Sequence, residues 1–224
     1  SYRYGKRHGD WVLRKSYETI RCHYSGGMLH GKWVLSVGKR LVKVLHYSHG
    51  KKYGRIIVYW SNGKERMKGR YAADLAQGIW REWHDNGQLK GRDTYLNGKF
   101  HGAYIRRDRH GNTIKKGTFS NGLRSGRWRE WHSNGRLRLE ASYRKSKPHG
   151  LWRRWDKFGR KIERHRFKNG SRHGYNIDYH KNGRKKAEGR YKNGRRNGRW
   201  KYYAEDGMLV NTCEYSLGYR LRCH

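Results

Sequence analysis

Residues 126–150 read Gly-Arg-Trp-Arg-Glu-Trp-His-Ser-Asn-Gly-Arg-Leu-Arg-Leu-Glu-Ala-Ser-Tyr-Arg-Lys-Ser-Lys-Pro-His-Gly. Two runs rich in aromatic and aliphatic residues flank the turn Ser133-Asn134-Gly135. Asn-Gly between such runs indicates a β-hairpin, because both residues tolerate the positive φ of a type I′ turn. A second loop, residues 144–149, leads to the next glycine and to Trp152. The stretch therefore predicts one hairpin followed by a connector.

The same pattern recurs along the chain, which is the signature of a repeat protein. One glycine returns at a constant interval, at Gly54, Gly78, Gly102, Gly126, Gly150, Gly174 and Gly198. The hairpin-turn glycine has the same period, at Gly63, Gly87, Gly111, Gly135, Gly159, Gly183 and Gly207. Towards the N-terminus the interval shortens slightly, from Gly9 to Gly31 and from Gly31 to Gly54. We count about nine units, of which the first and the last are incomplete.

Two aromatic positions repeat with the glycines. One holds Tyr71, Tyr95, Phe119, Tyr143, Phe167, Tyr191 and Tyr215. The other lies two residues after the first glycine and holds Trp80, Tyr104, Trp128, Trp152 and Trp200, with Ile56 and Asn176 as exceptions. Because a single hairpin is marginal in water, each unit is expected to bury its rings against the next. Glycines at constant spacing disfavour the alternative of a disordered aromatic chain.

These motifs resemble the MORN repeat. The pattern is a glycine, a tryptophan two residues later, a Tyr or Phe, and then Asn-Gly-Lys/Arg before the next glycine, as in residues 95–102 and 191–198. It is most similar to the variant found in bacterial antitoxin-like proteins and expanded in large DNA viruses. The resemblance implies an elongated single-layer antiparallel sheet, and roles in scaffolding, protein contacts or binding of acidic lipids. Asn176, Ser146 and the strong basic charge depart from the pattern.

The fold prediction is therefore all-β: an elongated, single-layer antiparallel meander of nine or so hairpin repeats, each of roughly 22–24 residues, a MORN-like array. Residues 1–224 are expected to form one continuous array, since no change in composition marks a domain boundary. Hydrophobic residues make up 33% of the chain, so the core must be thin.

Positive charge is spread along the whole chain. The sequence has 55 Lys and Arg against 17 Asp and Glu, a net charge of +38. Over an array of roughly 90 Å, with strands ~4.8 Å apart, this gives about one positive charge per ~2.4 Å. Duplex DNA carries one negative charge per ~1.7 Å. Such a chain repels itself, which favours a polyanionic partner over the alternative of a merely solvated surface.

Alternation along a strand places Trp128 and Glu130 on one face and Arg127, Arg129 and Trp131 on the other. Arginines beside tryptophans suit phosphate binding or base stacking, although their stems also cover exposed rings. The candidate polyanion-binding residues are Arg106, Arg107, Lys115, Lys116, Arg127, Arg129, Arg153, Arg154, Arg184, Lys185, Lys186, Arg195, Arg196 and Arg199. No set of residues indicates sequence-specific base recognition.

The sequence predicts no enzyme, no cofactor, no metal site and no small-molecule substrate. Most candidate ligands are periodic: His84, His132 and His180 occupy one repeat position, as do Glu82 and Glu130. A catalytic site needs a unique constellation, and neither a phosphate-binding glycine loop nor a nucleophile elbow is present. We therefore interpret the repeated histidines as structural.

Three cysteines are too few for a disulfide framework, although Cys213 and Cys223 lie close enough in sequence to pair. A reducing intracellular compartment, or the interior of a virus particle, is the expected location. The sequence contains neither a signal peptide nor an apolar run of spanning length. It begins in mid-repeat at Ser1 without methionine, so natural N-terminal residues are expected to be missing.

The leading hypothesis is a non-enzymatic architectural protein that binds nucleic acid or acidic protein surfaces within a large assembly. A large DNA virus particle is the setting that the resemblance favours. The alternatives are a protein–protein scaffold, such as a minor capsid or cement protein, and attachment to an anionic membrane. An antitoxin-like role rests on the resemblance alone.

Overall fold

The computed structural model describes every residue, Ser1–His224, and consists of strands and turns. This confirms the all-β fold class. The chain divides into two compact units, Ser1–Asn112 and Thr113–His224. Each unit is a series of hairpins, and the continuity of one array from residue 1 to residue 224 stays a prediction.

In the first unit the strands follow one another as antiparallel neighbours. A separate two-stranded hairpin, β1 with β2, precedes a meander from β3 to β12 in which β7 and β8 together face β6. The strands are β1 Tyr2–Arg3, β2 Lys6–Arg7, β3 Gly9–Lys15, β4 Glu18–Ser25, β5 Met28–Val37, β6 Arg40–Ser48, β7 Lys51–Lys52, β8 Gly54–Tyr59, β9 Glu65–Ala72, β10 Leu75–Trp83, β11 Leu89–Leu96 and β12 Lys99–Arg107.

The second unit has the same antiparallel order from β13 to β23, with β18 and β19 together facing β17. Its strands are β13 Thr113–Ser120, β14 Leu123–Trp131, β15 Leu137–Arg144, β16 Lys147–Trp155, β17 Lys161–Lys168, β18 Ser171–Arg172, β19 Gly174–Tyr179, β20 Lys185–Lys192, β21 Arg195–Tyr203, β22 Leu209–Ser216 and β23 Tyr219–Cys223. The predicted meander of hairpin repeats is thus confirmed within each unit.

Two kinds of turn alternate along both units. At Asn97-Gly98 both residues have positive φ, 48° and 75°, as a type I′ turn requires. At Ser133-Asn134-Gly135 only the glycine is left-handed, with φ 80°. The Gly135 amide donates to the His132 carbonyl at 3.0 Å, the pattern of a type I turn followed by a glycine bulge. The prediction of a type I′ turn at Asn134 was therefore wrong.

The physical reason lies in the hydrogen bonds of the Asn134 side chain. Its Oδ1 accepts from the Arg136 amide at 3.1 Å, and its Nδ2 donates to the Lys157 carbonyl of the next repeat at 2.7 Å. Bonds from one turn to the next recur at other repeats, from Asn62 to Asp85, Asn86 to Arg109 and Asn182 to Glu205. We call this series of bonds the turn ladder.

The periodic histidines belong to the turn ladder as well. His132 Nε2 lies 3.0 Å from the Trp155 carbonyl oxygen, and His84 and His180 make the same contact one repeat onward. Because a carbonyl only accepts, Nε2 must carry the proton and donate. These contacts give the repeated histidines a structural role in the turns.

The core is built from tryptophans that lie flat over glycines of the preceding strand. A methyl group on Gly117 would lie 2.2 Å from Trp128 Cδ2, and Gly69 and Gly189 meet Trp80 and Trp200 in the same way. Trp128 is buried and makes an edge-to-face contact with Phe119 at a centroid distance of 5.0 Å. We call this side of the sheet the core face.

Ile56 and Asn176 stand at the core position without an aromatic ring, and each is matched by a larger residue on the preceding strand. Ile56 faces Leu45, and Asn176 faces His165, so a larger side chain stands where the repeats of Trp80, Trp128 and Trp200 have glycine. Asn176 Oδ1 accepts from the Arg166 amide at 3.0 Å, and its Nδ2 donates to the Gly174 carbonyl at 2.6 Å. The position eleven residues before the ring therefore compensates for its size.

Left-handed backbone is also required at turns that lack Asn-Gly. Ser146, where the pattern has glycine, has φ 63°, and its Oγ accepts from the Arg124 amide at 2.9 Å. This bond offsets the strain at Ser146. Leu217 has φ 46° and is exposed, with no such compensation.

Replacing Leu217 with asparagine is expected to raise the free energy of unfolding by about 1 kcal/mol, because asparagine tolerates left-handed backbone better than leucine. Thermal unfolding followed by circular dichroism measures the change. The matched control is Asn193→Leu, at the same repeat position with φ 50°, which should lower stability by a similar amount. Equal melting temperatures for both variants would contradict the interpretation.

The structure joins Cys213 to Cys223, which are directly paired residues of β22 and β23. The pairing that the sequence left open is thus present in the second unit. Cys22, in the first unit, is a buried free thiol.

Candidate polyanion-binding face

The face opposite the core tryptophans carries a row of cations, and we call it the basic face. It is defined by residues that pair directly across neighbouring strands. In the first unit these are Lys68, Arg81 and Arg92, and in the second unit Lys116, Arg129, Glu140, Arg153 and Arg164.

At three places on this side of the sheet an arginine faces another arginine. Arg55 is paired with Arg70, Arg81 with Arg92, and Arg153 with Arg164. Like charges directly opposite in a sheet are destabilising. Five of these six arginines form no ion pair, and the sixth, Arg153, shares Glu140 with two other arginines. The sheet therefore holds uncompensated positive charge at fixed positions.

Glu140 neutralises one segment of the basic face. Its carboxylate lies 3.0 Å from Arg129 Nε, 3.2 Å from Arg153 Nη1 and 3.9 Å from Arg127 Nε. Arg164, at the repeat position that Glu140 occupies one unit earlier, has no carboxylate within ion-pair distance. The charge of this row therefore varies from repeat to repeat.

Many of the sequence-predicted binding residues are engaged within the chain. Arg106 makes a bidentate pair with Asp93 at 2.6 and 2.8 Å, and Arg196 donates to Tyr202 at 3.0 Å. The other engaged residues are Lys115 with Glu130, Arg127, Arg129 and Arg153 with Glu140, Arg154 with Glu163, Lys185 with Glu188, and Arg184 with the Asp206 carbonyl. These side chains are less available to a partner than the sequence suggested.

The remaining predicted residues form no ion pair: Arg107, Lys116, Lys186, Arg195 and Arg199. All except Arg107 are exposed. They lie on different strands and turns rather than in one patch. Their binding role stays a prediction.

The sequence reasoning missed Arg92 and Arg164, two members of the basic face that form no ion pair. The strand register could have revealed them. Arg92 lies opposite Arg81, eleven residues earlier, and Arg164 lies opposite Arg153. A hairpin drawn around each turn glycine would have placed these residues together.

Across the whole chain most of the positive charge is left without an acid. Ion pairs involve twelve of the 55 lysines and arginines. Some of the cations that form no ion pair cover core rings instead. The Arg124 guanidinium lies 4.7 Å from the Trp128 ring centroid, and the Arg196 guanidinium lies 4.7 Å from the Trp200 ring centroid. The charge is therefore a property of the surface rather than an internal network.

One buried polar cluster lies on the core face of the second unit. His165 Nε2 is 2.7 Å from Asp178 Oδ1, and His165 Nδ1 is 3.7 Å from Glu163 Oε2. Trp152 Nε1 donates to Glu163 at 3.0 Å, and Arg154 pairs with it at 3.3 Å.

Burial alone would raise the pKa of Asp178, but the His165 hydrogen bond holds that pKa below its ordinary value. The three ligand-type atoms of Glu163, His165 and Asp178 lie within 4.8 Å of one another. Their partners within the chain account for them, so we interpret the cluster as the polar replacement of a tryptophan–glycine pair.

Acid is expected to weaken the second unit through Glu130. This side chain is buried, and although burial alone would raise its pKa, Lys115 and Arg138 hold the pKa below its ordinary value. A carboxyl group with a lowered folded-state pKa adds stability above its unfolded pKa, near 4.5, and this stability is lost as pH falls further.

Thermal unfolding at a series of pH values from neutral to acid checks this expectation. Glu130→Gln should lower stability at neutral pH and flatten the decline in acid. Glu205→Gln, an exposed carboxyl whose side chain makes no ion pair, is the control and should leave the decline unchanged. An unchanged acid decline in Glu130→Gln would show that the residue does not carry it.

Comparison with known families identifies the repeat. Residues 76–97, 124–145 and 196–216 match the MORN repeat variant. These three segments are similar to MORN repeats. Each matched segment contains a second strand of one hairpin and the return strand that follows it, with the core tryptophan in the first, at Trp80, Trp128 and Trp200. No curated protein matches the chain.

The match supports a structural or binding repeat protein, as the sequence predicted. The matched segments are part of the hairpin sheets described above, and the basic face is one surface of those sheets. No helix of the chain has the length and apolar character needed to cross a membrane.

Proposed function

We propose that this MORN-repeat protein is a non-enzymatic binding protein whose basic face holds a polyanion. The observation that carries the proposal is the set of facing arginines: Arg55 with Arg70, Arg81 with Arg92, and Arg153 with Arg164. A sheet that places like charges opposite each other loses stability. An anionic partner that lies across the pair reverses this cost, because each of its charges meets two guanidinium groups.

The charge balance supports the same function. A net charge of +38 with few internal ion pairs produces a strong field that attracts polyanions and raises association rates. Nucleic acid and acidic protein surfaces are the partner classes. A large assembly such as a virus particle is the proposed setting, and it rests on the resemblance in the repeat pattern.

Binding is expected to fall steeply with salt, since each phosphate contact releases condensed counterions. With six or more contacts, affinity for DNA should drop about 10³-fold between ~50 and ~200 mM salt. Fluorescence anisotropy with a short labelled duplex DNA, and with labelled heparin, measures this dependence. Affinity that stays level over this range for both ligands would refute the proposal.

Two single variants locate the binding on the basic face. Arg164→Gln removes an arginine without an acidic partner and should weaken binding and reduce the salt slope by about one. Arg129→Gln removes an arginine that Glu140 already offsets, and it should change the slope less. Equal effects of the two variants would indicate attraction by overall charge rather than by the facing arginines.

A further inference from the structure

A second aromatic position lies beside the cations of the basic face. It comes three residues after the core position of six repeats and holds Tyr59, Trp83, Trp131, Trp155, Tyr179 and Tyr203, whereas the repeat of Tyr104 has Arg107 there. For four of these rings, at Trp83, Trp131, Trp155 and Tyr203, the residue two positions earlier on the strand is a lysine or arginine, so ring and cation point to the same face, about 7 Å apart. We call these rings the outer aromatic column.

The three tryptophans of this column differ from one another in their contacts. Trp83 and Trp155 make no ring–ring or cation–ring contact within the chain, whereas the core tryptophans Trp80 and Trp152 each make two ring contacts. Trp83 lies two residues from Arg81, which faces Arg92, and Trp155 lies two residues from Arg153, which faces Arg164. Each unit thus holds one half-buried tryptophan next to a facing arginine pair.

One of the two repeats between Trp83 and Trp155 provides a natural comparison. Trp131 occupies the same position, but Lys116 Nζ lies 5.6 Å from its ring centroid. Its neighbour Arg129 faces Glu140 rather than an arginine, and the two form an ion pair. The ring and the cation of this repeat are therefore already occupied within the chain.

The site in the second unit is concave. A cleft of about 250 Å³ is lined by Arg153, Trp155, Lys161, Glu163 and Arg164. Three cations and one ring surround it. Glu163 directs its carboxylate to Trp152 and Arg154, as described above, so the acid is occupied.

We propose that Trp83 and Trp155 stack on bases of single-stranded nucleic acid whose phosphates lie against the neighbouring arginine pairs. This inference rests on the proposed polyanion binding and specifies its partner. Aromatic side chains beside a cationic groove are the means by which proteins bind single strands without sequence preference. In a duplex the base faces are covered by their neighbours, and heparin and acidic peptides have no bases to stack.

The experiment compares three ligands at one salt concentration: labelled oligothymidine, the same length of duplex DNA, and heparin. The variant Trp83→Ala/Trp155→Ala should bind oligothymidine about tenfold or more weakly, because stacking is lost at both sites. Its affinity for heparin should stay within about twofold of the parent, since the charges are unchanged. Trp131→Ala is the matched control and should keep the parent's affinity for oligothymidine.

A conservative variant separates stacking from folding. Trp83→Phe/Trp155→Phe retains aromatic faces and should recover most of the affinity for oligothymidine, with thermal unfolding recorded for every variant. Equal losses for oligothymidine and heparin, a loss in Trp131→Ala as large as in the double variant, or tighter binding of duplex than of single strand would each overturn this inference. Salt-dependent heparin binding that persists in those cases would leave the proposed function standing.

Discussion

Replacing Gly117 with alanine is expected to lower the free energy of unfolding of the second unit by about 3 kcal/mol, the upper part of the usual range for overpacking. The added methyl group would lie 2.2, 2.3 and 2.7 Å from three atoms of the Trp128 indole. These atoms belong to the fused centre of a rigid ring, so no small rotation relieves the overlap. Chemical denaturation followed by tryptophan fluorescence and circular dichroism measures the loss.

A double-mutant cycle tests the cause. In a Trp128→Ala background the overlap no longer exists, so Gly117→Ala should then have little effect. Ala141→Gly is the matched control, because Ala141 faces Trp152 at the same repeat position and already carries the methyl group. If Gly117→Ala lowered the free energy of unfolding equally with and without Trp128, the cause of the loss would be backbone preference rather than ring packing.

Replacing Asp93 with asparagine is expected to lower the free energy of unfolding of the first unit by about 3 kcal/mol. The Asp93 and Arg106 side chains are 15% and 23% exposed, and Arg106 lies over Gly91, where an added methyl group would meet it at 2.7 Å. Asparagine leaves the guanidinium largely desolvated without its counter-charge. Thermal and urea unfolding of the two proteins give the difference.

The first unit offers a matched control at its surface. Asp85 and Arg109 form a pair of the same chemistry, but their side chains are 46% and 61% exposed. Asp85→Asn should therefore cost less than about 1 kcal/mol, as exposed ion pairs do. Asp93→Ala combined with Arg106→Met should recover part of the loss, because it removes the stranded charge. Similar losses for Asp85→Asn and Asp93→Asn would show that burial does not set the strength of these pairs.

Much of the fold was predictable from the sequence, because the repeat positions hold residue types with strong backbone preferences. Gly135 and its equivalents located the hairpin turns, and the aromatic residues located the core. The turn type at Asn134 was not predictable from the dipeptide alone. It depends on a bond from its side chain to Lys157 in the next repeat, a contact that exists only after the hairpins are stacked.

The candidate site was less predictable for a related reason. A list of arginines does not show which ones have acidic partners, and that depends on register. Arg129 and Arg164 look alike in sequence, yet Glu140 pairs with the first and no carboxylate with the second. Pairing eleven residues apart also explains Asn176, which departs from the motif only because His165 fills the space of the missing ring.

The turn ladder constrains how such a chain can change in length. Each bond joins a side chain to a carbonyl 23 residues further on, as from His132 to Trp155 and from Asn134 to Lys157. Inserting or deleting one residue between two turns separates these partners, and it also reverses the faces of every later side chain in that strand. Removing one whole repeat keeps the hydrogen-bond partners together and leaves the faces of the later side chains unchanged. Evolution can therefore change the length of such a protein by adding or removing whole repeats, because the structure of the neighbouring repeats is then kept.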